Sequence, residues 1–145
     1  MSAPVIVVGM DGSEGGDRAL ATAVEVAAAA RYGVVAVHVA HVPAAVAATA
    51  VGAAALRATA DEVADHCHLA CEVTGAGAGL AWSFEFRHGD PVTELLRAGA
   101  DHDAAWIVVG RHGHRGLTRL VLGSVTDRLL HHADRPVLVV PPAGL

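Results

Sequence analysis

Gly110 and Gly113, followed after nine residues by Gly123 and Ser124, are the residues whose types and spacing most directly suggest chemistry in this chain. They come straight after a short apolar run, Ala104 to Val109. With no Cβ in the way, glycine lets backbone N–H groups approach an anion, and a helix starting at Gly123 and Ser124 adds its positive dipole end. Phosphate is the obvious ligand for such a loop. A second candidate, Gly9-Met10-Asp11-Gly12-Ser13, also follows an apolar run. Both loops have a plainer reading: glycines after a strand make tight turns and helix caps, and Asp11-Gly12-Ser13 can be turn and N-cap alone.

Other reactive side chains are weaker candidates. His66, Cys67, His68 and Cys71 are metal-ligand types, but one helix cannot aim all four at a single point, so a solvated helix end is expected there and no metal site is assigned. His131 and His132 fall where a helix C-terminus favours positive charge. No nucleophile, base and orienting group stand out together, so no catalytic residue is assigned. Any phosphoryl chemistry is expected to be slow hydrolysis or autophosphorylation rather than rapid turnover.

Composition narrows the classes further. The 145 residues, 53% apolar and 17% charged, suit one folded domain spanning residues 1–145 with a single core. All ten cationic side chains are Arg, with no Lys, Asn or Gln, which excludes Schiff-base chemistry and a P-loop lysine. A net charge of -5 without a basic cluster argues against a nucleic-acid partner. Two cysteines and a start, Met1-Ser2-Ala3-Pro4, that runs straight into a strand-like segment predict a cytoplasmic protein without a secretory leader. The stretch from Arg31 to Arg57 carries no charge between its ends, yet Gly33, His38, His41, Pro43 and Gly52 interrupt it. It reads as strand, loop and helix start rather than a membrane span.

The elements that must position the loops follow from periodicity. Val5 to Val8 is a β-branched run bounded by Pro4 and Gly9, as expected of a strand covered on both faces. From the N-cap candidate Ser13, Leu20, Ala23, Val24, Ala27 and Ala30 recur at helical spacing, with Gly33 as the stop. Val34 to Val39 predicts the second strand. Leu56, Val63 and Leu69 mark the inner face of a second helix, polar from Arg57 to His68 and broken by Gly75-Ala76-Gly77-Ala78-Gly79. Trp82 to Phe86 alternates as a strand, Asp90-Pro91 opens a helix carrying Val92, Leu95 and Leu96, and Trp106 to Val109 is a fourth strand. A last helix with Val125 and Leu129 leads to the fifth strand, Pro136 to Val140. Strands alternating with helices predict a doubly wound α/β fold with a parallel sheet, whose ligands bind outside the strands' carboxyl ends where strand order reverses. If the first and fourth strands are neighbours there, the two glycine loops and Val39 to Val42 converge on one cleft.

Taken together, these residues resemble the universal stress protein family, and specifically its ATP-binding branch. Gly110, Gly113, Gly123 and Ser124 match that branch's Gly-x-x-Gly-x9-Gly-Ser/Thr motif without a gap. The likeness extends over Val8 to Ser13, His38-Val39, Gly89-Asp90-Pro91, Gly123-Ser124-Val125 and Arg135 to Val140. It implies a Rossmann-like, adenine nucleotide alpha hydrolase-like sheet of five strands in the order 3-2-1-4-5. It implies that Gly9, Met10 and Asp11 line a nucleoside with Val39 against adenine, and that Val109, Gly110 and Gly113 flank the ribose and first phosphates. Gly123, Ser124 and Val125 would then meet the outer phosphates, with Mg2+ as a plausible companion ion. It implies too a stress or signalling role and a homodimer paired through Val137 to Val140. The chain departs from the family at Arg111, commonly a small Ser or Thr. Arg111, His112 and Arg115 are candidate phosphate contacts, although each taken alone is expected to face solvent. Two alternatives stay open: an interaction protein of the same fold that uses no nucleotide, and an adenylating enzyme on a related fold. The intact glycine spacing argues against the first, and the lack of a Ser-Gly-Gly-x-Asp-Ser loop after the first strand argues against the second.

Overall fold

A computed structural model describes residues 3–41, 48–111 and 122–143, with the side chains of residues 76 and 77 outside that description. Five strands, β1 (Val5–Met10), β2 (Gly33–Ala40), β3 (Trp82–His88), β4 (Trp106–Gly110) and β5 (Val137–Val140), form one sheet in the order β3-β2-β1-β4-β5. Every pairing is parallel, with Met10 beside His38, Val8 beside Val108 and Gly110 beside Val140. The order reverses between β1 and β4, as the α/β reading requires. Central strands of such a sheet are buried on both faces, which is why Ile6, Val7 and Val8 are all fully buried despite pointing alternately up and down.

Among the described residues, four helices cover the two faces: α1 (Glu14–Ala30) and α2 (Ala50–Ala78) on one, α3 (Pro91–Asp101) and α4 (Ser124–His132) on the other. Leu20, Ala23 and Val24 of α1 and Cys67 and Cys71 of α2 pack on Ile6, Val8, Val34, Ala36 and Val108. Val92, Leu95 and Ala98 of α3 and Leu129 of α4 pack on Val7, Val35, Val37, Ile107 and Val109. Three of the helices start where the sequence indicates: Ser13 and Asp90 are side-chain N-caps of α1 and α3, and Gly123 precedes α4.

The ends of α1 and α2, and the faces they bury, differ in part from expectation. Arg31, in the left-handed region at φ 62, ends α1, while Gly33 already belongs to β2 and donates to Pro4 O. Ala30 is exposed rather than inward-facing. The glycine run does not break α2, which continues to Ala78 and is capped by Gly79 at φ 66. Gly75 is buried inside that helix because a Cβ there would lie 2.5 Å from Trp82 Cδ1, so it is glycine for close packing. On α2, Leu56 and Val63 are half-buried, with Val63 against the core as expected, but Leu69 is 59% exposed, and the fully buried stripe is Ala64, Cys67 and Cys71.

Candidate functional site

The carboxyl end of β1 turns through Asp11, Gly12 and Ser13 into α1. Gly12 has φ +82, a conformation costly for other residues, and a Cβ there would meet Val63 Cγ1 at 2.9 Å. Asp11 Oδ1 accepts from the Ser13 N–H at 3.0 Å and from the Ser13 hydroxyl, and Ser13 Oγ accepts from the Gly16 N–H at 3.2 Å. Asp11 thus closes the turn and Ser13 caps the helix, with Asp11 half-buried at the mouth of the turn. Met10 points into the core, its Sδ 3.9 Å from Cys71 Sγ, so only its backbone faces the loop side. Its carbonyl accepts from His38 Nδ1 at 2.8 Å, which joins the carboxyl ends of β1 and β2. His38 is buried at 7% exposure, with its ring centroid 5.5 Å from that of Phe86.

Beyond β4 the backbone is held on three sides. The Arg111 N–H donates to Val140 O at 3.0 Å, the Gly123 N–H donates to Arg111 O at 2.9 Å, and the Thr126 hydroxyl donates to Gly110 O at 2.7 Å. These bonds dock the first turn of α4 against the end of β4. Gly123 has φ -62 and ψ 155, so no left-handed conformation requires glycine there. Its N-cap position brings no side-chain hydrogen bond, leaving the α4 N-terminus without the acceptor that Ser13 gives α1. Gly110 has a packing reason of its own: a Cβ would stand 2.9 Å from Gly15 O and 3.1 Å from Gly15 C, at the start of α1.

Of the residues expected at the site, Asp11, Gly110, Arg111, Gly123 and Ser124 lie at the ends of β1 and β4 and the start of α4. Gly9, Val39, Val109 and Val125 lie on the α3/α4 side: a Cβ on Gly9 would meet Leu95 and Val109 side chains, and the three valines pack on that core. Gly113, His112 and Arg115 fall outside the described residues. Sequence gives no signal for Thr126, and for His38 only its place in the family likeness, without a role. Their bonds run to carbonyls 16 and 28 positions away, which no local pattern displays.

The histidine and cysteine group on α2 is no solvated helix end. Cys67 and Cys71 are core side chains, and burial pushes their thiols up to about 12 and about 11. His66 instead pairs with Asp17 on α1 at 3.1 Å, and the His68 ring lies tilted against those of Trp82 and Phe84. Among the described residues, no three His, Cys, Asp or Glu side chains are grouped to hold a metal ion. On the α4 side, Arg128 reaches Asp90 at 3.1 and 3.2 Å, tying α4 to the N-cap of α3. Arg128 first, and then Thr93, hold the Asp90 carboxyl well below the usual carboxylate range. His131 Nδ1 lies 2.7 Å from Asp127 O in the last turn of α4, the end where positive charge is favoured. No helix among the described residues is long and apolar enough to cross a membrane.

A family model described as the universal stress protein family matches residues 4–141. "Universal stress protein Sll1388" of Synechocystis is 34% identical over 62 residues, 43% of this chain and 40% of that protein, so the match spans well under half of the relative's length. Among solved structures, the universal stress protein UspA from Lactobacillus plantarum superposes with a TM-score of 0.82 at 22% identity, covering 97% of this chain and 99% of that one. A universal stress protein in complex with cAMP superposes with a TM-score of 0.62 at 25% identity, covering 97% and 98%.

Proposed function

Since the chain belongs to the universal stress protein family, we propose that it binds ATP or a related adenine nucleotide across the carboxyl ends of β1, β2 and β4. It then works, as one domain in the cytoplasm, as a nucleotide-dependent stress or signalling module. The observation that carries this reading is the docking of an α4 N-terminus without a side-chain cap onto the end of β4, at the site of the glycine motif. First-turn N–H groups and the helix dipole favour an anion there. In this reading Gly9, the Met10 backbone, Asp11 and Val39 face the nucleoside, and Val109, Gly110 and Gly113 flank the ribose and inner phosphates. Gly123, Ser124 and Val125 meet the outer phosphates, with Arg111, His112 and Arg115 as further cations. With no grouped ligand set among the described residues, Mg2+ enters on the nucleotide rather than ahead of it. The solved relative that holds cAMP supports an adenine nucleotide, and competition among ATP, AMP and cAMP identifies which one this chain prefers.

Asp11 gives the first test. Its carboxylate sits at the switch point between β1 and β4, and losing a hydrogen-bond partner of that charge costs roughly 1.5 to 3 kcal/mol. Asp11→Ala is expected to weaken ATP and AMP alike by about tenfold or more in calorimetry. Loss of ATP alone would place Asp11 at the phosphates or their metal instead.

One observation favours a second reading, an interaction protein of this fold that uses no nucleotide: Gly9 and Gly110 are both accounted for by packing. A wild-type chain that takes up no adenine nucleotide would select it.

We also propose a homodimer through β5. Parallel pairing directs the carbonyls of Pro136 and Val140 to β4, so alternation turns the N–H and C=O of Val137 and Val139 to the free edge. An apolar edge of this kind invites strand pairing across a two-fold axis. Leu138 and Val139 also pack on the two cores, so arginine at either would disturb folding as well as pairing. Val139→Pro removes the edge donor while keeping an apolar side chain toward the core, at a position proline tolerates in edge strands. Sedimentation at tens of micromolar, about the range where weak contacts dissociate, is expected to find the wild type dimeric and this variant monomeric with an unchanged circular dichroism spectrum. A monomeric wild type would refute the pairing.

A further inference from the structure

We infer that Thr126 is a positioning residue that aims the N-terminus of α4 at the cleft, an inference that rests on the nucleotide reading above. Threonine hydroxyls within helices ordinarily bond back to a carbonyl three or four residues earlier in the same helix. Thr126, the third residue of α4 and only 4% exposed, has no carbonyl of its own helix that far back, and it donates instead to Gly110 O, in the last residue of β4, at 2.7 Å. The Gly123 N–H takes the next carbonyl along, Arg111 O, at 2.9 Å. Two consecutive carbonyls of the strand end are therefore gripped by the first turn of one helix. The backbone grip is common to any sequence; the side-chain grip belongs to Thr126.

This clamp sets the direction of the first turn. Leu129 in the core and the Arg128–Asp90 pair hold the body of α4, and the second bond, on the adjacent peptide, fixes its first turn relative to β4. The same Arg111 peptide donates to Val140 O at 3.0 Å, so the clamp is braced against β5. Anion binding by first-turn N–H groups falls off steeply with misalignment, because hydrogen bonds weaken below about 120°. Loss of the Thr126 hydroxyl therefore acts chiefly on phosphate affinity, through the first turn of α4, and much less on the adenine end of the cleft at Asp11 and Val39.

The test compares Thr126→Val, close in shape but lacking the donor, with Thr126→Ser, which keeps it. By calorimetry, Thr126→Val is expected to weaken ATP about fivefold or more while adenosine changes by less than about twofold, and Thr126→Ser restores ATP affinity to within about twofold of wild type. In the ligand-free protein, the Gly123 and Asp127 amides are expected to exchange faster in Thr126→Val than in wild type or Thr126→Ser. Should the valine variant unfold, Thr126→Ala takes its place in the same comparison. Unchanged ATP affinity and unchanged exchange at Gly123 in the hydroxyl-free variant, or a serine variant as impaired as it is, would overturn the role. If wild type takes no ATP, the nucleotide reading fails on its own, and the Gly123 and Asp127 exchange rates alone decide whether Thr126 clamps the helix.

Discussion

Gly110→Ala is expected to destabilise the fold by about 1 to 3 kcal/mol, the usual range for forcing a methyl group into a close-packed site. The added Cβ would stand 2.9 Å from Gly15 O and 3.1 Å from Gly15 C. Both are main-chain atoms at the start of α1, and neither can swing aside as a side chain could. Relief requires α1 to move away from β4, yet Leu20, Ala23 and Val24 of the same helix are buried against Ile6, Val8 and Val108. Thermal unfolding followed by circular dichroism should show a midpoint lowered by several degrees, at roughly 2 to 4 °C per kcal/mol for a domain of this size. A variant that melts with the wild type would mean that α1 yields at no cost, and that the glycine at 110 has some other reason.

Gly123→Val should behave in the opposite way. At φ -62 the backbone accepts a side chain, and the Arg111–Gly123 hydrogen bond is made by main-chain atoms, so the fold is expected to survive with a circular dichroism spectrum near that of the wild type. Valine is a poor N-cap, which costs the helix on the order of 1 kcal/mol. What the branched side chain takes away is the open approach to the first-turn N–H groups. ATP affinity is therefore expected to fall by tenfold or more, about 1.4 kcal/mol, while adenosine, which has no phosphates, is much less affected. A folded Gly123→Val variant with undiminished ATP affinity would make the glycine spacing a matter of turn geometry.

These two glycines illustrate what the sequence could and could not convey. Their spacing was legible; that one is required by α1 and the other is free in conformation was not, because the Gly15 contact joins residues far apart in the chain. Strands were legible where burial on both faces gives uninterrupted runs, as in Ile6 to Val8 and Ile107 to Val109. Ser13 and Asp90 were legible as caps because capping is a local reaction between neighbours. The sequence of α2 misleads in two places. Glycine at 75 reads as a break, since its reason for being glycine is Trp82 on another element. Leu69 reads as core because alanine-rich helices offer weak apolar contrast, while the buried stripe is carried by Ala64, Cys67 and Cys71. Thr126 offers no local signal at all: its meaning lies in a bond to Gly110, visible only once β4 and α4 are packed.

The most direct measurement of the central claim is a titration of ATP into the isotopically labelled wild-type chain, followed residue by residue in amide NMR spectra. Nucleotide binding across the carboxyl ends of β1, β2 and β4 would give saturable shifts concentrated at Gly9 to Ser13, Val39 and Ala40, Gly110 and Arg111, and Gly123 to Thr126, with AMP reproducing those of the first two groups and affecting Gly123 to Thr126 less. Absence of shifts at millimolar ATP, where even a weak site of about 4 kcal/mol would be half filled, or shifts confined to the outer faces of the helices, would contradict it.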